Sequence, residues 1–143
     1  MLNWDCSRHH WKITATLSGA TAWLIQRFAD KEATFAIVPQ GELIRKGTPF
    51  DTPQGDMRVT HQSTTFDAAL KKFQLKNKAL MHIALVIRDI EMNQWEKTPI
   101  PEAAGIKALI YGLSVSNDKS TATIKKSFPL FDYLYEYYRK LEK

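Results

Sequence analysis

Residues 10 to 17, HWKITATL, place Trp11, Ile13, Ala15 and Leu17 at alternate positions, the two-residue period of a strand with one buried side. Ser18-Gly19 then marks the start of a helix through GATAWLIQRFADK, with Ser18 as its natural N-cap and apolar positions spaced for a helix from Trp23 to Phe28. The stretch ATFAIVP is β-branched and aromatic and ends at Pro39, so the chain opens as strand, helix, strand. Between Pro39 and Asp56 stand Gly41, Gly47, Pro49, Pro53 and Gly55, which predicts loop around one helical turn at Glu42 to Lys46. MRVTHQ, 57 to 62, reads as a third short strand.

The rest of the pattern is helical. Phe66, Ala69, Leu70 and Phe73 fall at i, i+3, i+4 and i+7, which predicts a helix from about Thr65 to Phe73. Asn77 can cap a longer helix to about Met92, whose inner face follows Leu80, Ile83, Ala84, Ile87 and then Ile90 or Glu91. Thr98-Pro99 starts another, which Gly112 is placed to end. A last helix carries Phe131, Leu134, Tyr135 and Tyr138 on one side, with Pro129 either beginning its regular part or kinking it. The reading is an α+β, helix-dominant single domain over 10–143, with a small sheet of about three strands and a tail at 1–9. Trp23, Phe66, Phe73, Leu80, Ile83, Ile87, Ile106, Phe131 and Leu134 are expected to share its core.

Composition supports an independent core. A chain of 143 residues with 44% hydrophobic and 24% charged residues has ordinary globular usage. The one cysteine, Cys6, excludes an internal disulfide and any cysteine-built metal framework. No apolar run is long enough for a signal or a membrane span, so a cytoplasmic protein without membrane contact is expected. The formal charge of +5 is spread over helical segments as Lys71-Lys72, Lys76-Lys78, Lys125-Lys126 and Arg139 to Lys143, and solvated helix faces account for it.

The side chains that can carry chemistry are His61, Asp51, Asp67, His82, Arg88, Asp89, Glu91, Glu102 and Asp132. Imidazoles and carboxylates at element ends are the usual ligands of a hard or borderline metal, and a carboxylate in a cleft can act as a base. No HExxH, cysteine pair, phosphate-binding glycine loop or GxSxG is present. Each candidate also has a structural role open to it. Asp67 and Glu102 fall in first helical turns, where the dipole favours a negative charge, and Asp51 lies in a proline-bounded turn. His82 sits in an apolar helix and reads as a packed, hydrogen-bonded histidine, and Arg88 and Glu91 can pair at i, i+3. Asp89, off the apolar stripe, faces solvent or lines a cleft, and His9-His10 can bind a metal or simply be exposed.

Five stretches in order, AWLIQRF (22–28), PFDTPQG (49–55), TFDAALKKF (65–73), PEAAGIKALIYGL (101–113) and LFDYLYEYY (130–138), resemble the C-terminal domain of the chromate-resistance (ChrB) family. ALMHIALVIRDIEM resembles the family's helix leading into an acidic pair. The family carries an Asp-Arg pair before the tryptophan helix where this chain has Leu17 and Ser18, a histidine where it has Arg88, and a cysteine where it has Thr64. The resemblance implies a stand-alone domain that senses or regulates in response to a ligand, oxyanion or metal, with a partly degenerate site. The alternative it implies is a small cytoplasmic enzyme of chromate or oxyanion detoxification using a His/carboxylate site.

A small anion has a physical route in. The amides at the Ser18-Gly19 helix start, with Arg27 or Arg88, can hold a tetrahedral dianion. Ser18, Arg27, His61, Asp67, Arg88, Asp89, Glu91 and Glu102 are the expected ligand-binding set. His61, Asp89 and Glu91 are a weaker metal set for a divalent cofactor. The cleft is expected between His61 to Asp67 and the helix end bearing Asp89 and Glu91, with Glu102 completing it. Homo-oligomers are compatible with the sequence. Sequence-specific nucleic-acid binding by this chain alone is not expected, because these residues hold no recognition-helix pattern.

Overall fold

The computed structural model describes residues 10–13, 19–37, 47–50, 55–92, 100–116 and 121–142. The predicted strand, helix, strand opening is present as β1 (His10–Ile13), α1 (Gly19–Leu24) and β2 (Thr34–Ile37). β1 and β2 are parallel, with His10 opposite Thr34 and Ile13 opposite Ile37, so the intervening helix is a crossover connection. Between α1 and β2 the chain winds as a π-helical turn over Ile25–Ala29, closed by Asp30 N–H donating to Ile25 O at 2.7 Å. Asp30 is buried and ties this corner together: its carboxylate accepts from Trp11 Nε1 at 3.3 Å and from Glu32 N–H at 3.1 Å.

The third strand lies elsewhere than MRVTHQ. It is β3 (Thr48–Pro49), paired parallel to β1 through Trp11–Thr48 and Lys12–Pro49, and the sheet order is β2-β1-β3. Proline lacks an amide to donate, which suits an edge strand and stops the ladder early. At 57–62 the polar backbone is satisfied locally instead. Thr60 N–H donates to Ser63 O at 2.8 Å, and Thr60 Oγ1 accepts from the amides of Gln62 and Ser63 at 3.2 and 3.1 Å. A β-branched hydroxyl residue that closes a turn with its own side chain competes with strand pairing.

Five further helices follow: α2 (Thr65–Lys72), α3 (Lys78–Met92), α4 (Pro101–Ser116), α5 (Thr121–Lys126) and α6 (Phe128–Leu141). Local chemistry sets most of their ends. Thr64 and Asp67 form a capping box on α2, and Asn77 Oδ1 accepts from Ala79 and Leu80 amides at 2.8 and 3.4 Å at the start of α3. Pro129 stands in the first turn of α6, which starts at Phe128, where proline is tolerated. Gly112 does not end α4, which runs on to Ser116; one helical glycine costs only about 1 kcal/mol, less than packing returns. The short α5 has no counterpart in the periodicity reading.

One cluster of buried residues runs from Trp11 to Tyr138. Trp23, Phe66, Leu80, Ile83, Ile87, Ile106 and Phe131 are buried in it as expected, while Phe73 and Leu134 pack against it half-buried. No helix among the described residues is long and apolar enough to cross a membrane.

Candidate functional site

An ion pair joins α2 to α3. Arg88 NH2 donates to Asp67 Oδ2 at 3.0 Å, and the same oxygen accepts from the backbone N–H and the hydroxyl of Thr64, each at 3.1 Å. Asp67 is thus both the capping residue of α2 and the anchor of Arg88. It is largely covered, whereas the Arg88 side chain is 49% exposed. The pairing of Arg88 with Asp67 reaches across 21 residues, a partner that spacing along α3 does not suggest.

Arg27 is held at a second pair. Its Nε and NH2 donate to the two oxygens of Asp132 on α6, both at 3.0 Å, and Trp23 Nε1 donates to Asp132 Oδ1 at 2.7 Å. The π turn delivers this guanidinium, which also lies over the Phe128 ring at 5.7 Å. The hydrogen bonds from Arg27 hold the Asp132 carboxyl below its ordinary range against a smaller opposing effect of burial, and Asp132 in turn raises the Arg27 pKa.

The remaining candidates disperse. Glu102 faces α6, where its Oε2 accepts from Tyr138 OH at 3.4 Å. His82 is not packed inside: it is exposed on α3 and stacks on the Tyr138 ring at 5.1 Å. Burial first, then the Glu102 charge, pushes the Tyr138 phenol up to about 12, so this meeting of histidine, tyrosine and carboxylate holds a phenol that keeps its proton at neutral pH. His61 is exposed beside the Thr60–Ser63 turn, and Asp89 is half-buried on α3.

The groove that the structure shows lies elsewhere than the cleft expected between His61 to Asp67 and the end of α3. A groove of about 710 Å³ runs between the second half of α3 and α4, floored by Ile87, Ile90, Ala104 and Ala108 and rimmed by Val59 and Tyr111. Glu91 and Lys107 are its charged residues; Asp67, Asp89, Glu102 and His61 are not among its walls. Among the described residues no three His, Cys, Asp or Glu side chains gather as a metal site requires, so His61, Asp89 and Glu91 are not brought together. Ser18, Asp51, Cys6 and His9, with the turn at 42–46 and the Thr98-Pro99 start, lie outside the described residues.

A helix-dominant α+β fold with a three-stranded parallel sheet closes over one apolar core, and at its surface Arg27 and Arg88 tie distant helices through carboxylates. The family model for the ChrB C-terminal domain matches residues 8–138, and the chain belongs to that chromate-resistance family. Comparison with curated proteins and with solved structures yields no match.

Proposed function

We propose that this chain is a cytoplasmic, anion-responsive regulatory domain of its family, with Arg88 as the contact for an oxyanion such as chromate. The Arg88–Asp67 pair supports the reading. A guanidinium fork fits a tetrahedral dianion as it fits a carboxylate, and half of this side chain is open to solvent. An anion that competes for Arg88 acts on the oxygen that caps α2, so occupancy is transmitted to a helix end whose capping is worth about 1 kcal/mol. A guanidinium has no lone pair to offer a cation, so divalent metals should bind weakly here.

Calorimetry with chromate, sulfate, zinc and manganese on the wild type, Arg88→Ala and Arg88→His tests this. The expected result is anion binding that is lost in both variants and weak metal binding by the unaltered protein. Anion binding untouched by Arg88→Ala, or tight metal binding by the wild type, would overturn it. Chromate consumed over many turnovers when a reductant is added would assign the detoxifying alternative instead.

A further inference from the structure

α4 is apolar where a surface helix is normally charged. Its buried residues are Ala103 and Ile106, and the face opposite them carries Ala104, Ala108, Tyr111 and Val115 at three- and four-residue spacing. All four are exposed, Tyr111 at 66% and Val115 at 63%, and Leu109 beside them is 59% exposed. Of the sixteen residues of α4 only Glu102 and Lys107 are charged; Glu102 turns to Tyr138 on α6, and Lys107 stands on the groove flank. Two copies that meet on this face bring Lys107 and Glu91 to the edge of the contact rather than to its apolar centre.

Two glycines on the same helix have open space beside them: among the described residues, a Cβ added at Gly105 or Gly112 meets nothing within 4 Å. Each glycine nevertheless costs about 1 kcal/mol against alanine in a helix interior. Close approach of another backbone is what such positions permit.

We infer that α4 is the contact helix of a homodimer, in which the two α4 helices cross antiparallel about a two-fold axis beside Ala108 and Tyr111 of each copy enters the groove of the other. A two-fold contact requires one patch that is complementary to itself. This patch holds both halves, a projecting Tyr111 and Val115 and a receiving groove floored by Ala104 and Ala108. Antiparallel crossing at Ala108 brings Tyr111 to the Ala104 flank of the second copy, where the groove lies, and sets Gly105 against Gly112 on the other flank, and it opposes the two helix dipoles. The area is sufficient. Val59, Leu109, Tyr111 and Val115 leave roughly 500 Å² of apolar surface in water, the size of the largest patch on a typical monomer. With Ala104, Ala108, Ile90 and the stem of Lys107 the patch approaches the roughly 800 Å² per partner of a standard stable interface. This assignment is independent of the anion reading.

Sedimentation and light scattering of the full chain at micromolar concentration test it. The wild type should have twice the 16.4 kDa of the chain. Ala108→Glu and Tyr111→Glu should run as monomers with unchanged circular dichroism, while Tyr133→Glu, an equal charge at an exposed aromatic of α6, should remain dimeric. Ala108→Cys in a Cys6→Ser background should form an intermolecular disulfide under mild oxidation. A monomeric wild type, including one that sediments with lipid vesicles instead, would overturn the proposal. So would a dimer that survives both glutamate variants and fails to cross-link through position 108.

Discussion

Replacing Gly19 with alanine probes a close approach of the first helix to Ser127, between α5 and α6. A Cβ built on Gly19 would overlap Ser127 Oγ and come within 3.2 Å of Ser127 Cβ. Ser127 cannot yield freely, because it is buried and its hydroxyl donates to Ile124 O at 2.6 Å. Rotating that hydroxyl away leaves a buried polar group unpaired, at about 1 to 3 kcal/mol, and forcing the helices apart costs a similar amount. The better helix propensity of alanine returns at most about 1 kcal/mol, and less in a first turn. The net expectation for Gly19→Ala is a loss of about 0.5 to 2.5 kcal/mol, read in urea denaturation as a lower midpoint at constant slope. Ser127→Gly removes both opposing atoms, so in a double-mutant cycle it should recover about 1 to 2 kcal/mol of the Gly19→Ala cost. A Gly19→Ala protein within 0.5 kcal/mol of the wild type, or a strictly additive cycle, would refute the close approach of α1 to Ser127.

Two further outcomes follow from burial. Phe66, on α2 and 1% exposed, should cost about 3 to 5 kcal/mol when truncated to alanine, and a loss below about 1 kcal/mol in chemical denaturation would mean the α2 face is wrongly placed. Tyr138, with its phenol pushed up to about 12, favours the neutral form in the folded chain, so its contribution to stability is complete below the ordinary value of 10.0 and is lost as the pH rises from there through about 12. Ultraviolet titration should show a late tyrosine ionisation that Tyr138→Phe abolishes, and the variant should lose less stability over that alkaline window. A wild type with no such late step would contradict the buried phenol.

Elements whose limits are set by neighbours in the chain were legible in the sequence. α2, α3 and α6 begin at Thr64 with Asp67, at Asn77 and beside Pro129, because a cap or a first-turn proline works within three residues. The buried stripe of Phe66, Leu80, Ile83, Ile87 and Phe131 followed from the same periodicity, as did the βαβ opening. The capping role of Asp67 was likewise one of the two roles its position allowed.

Tertiary structure decided what depends on distant partners. The β1 edge took Thr48–Pro49 and left 57–62 to turn on Thr60, a choice between two short segments that local propensity ranks the other way. Arg88 met Asp67 across 21 residues, and Arg27 met Asp132 across 105, through a π turn whose winding no residue pattern announces. Whether Glu102 lined a cleft or bonded Tyr138 depended on how α4 rotates against α6, a quantity set by packing over the whole core. The apolar outer face of α4 was written in the sequence, but periodicity reports only that a face is apolar. Which side reaches the core and which remains open to a partner became visible when Ala103 and Ile106 took the inside and Tyr111 and Val115 the outside.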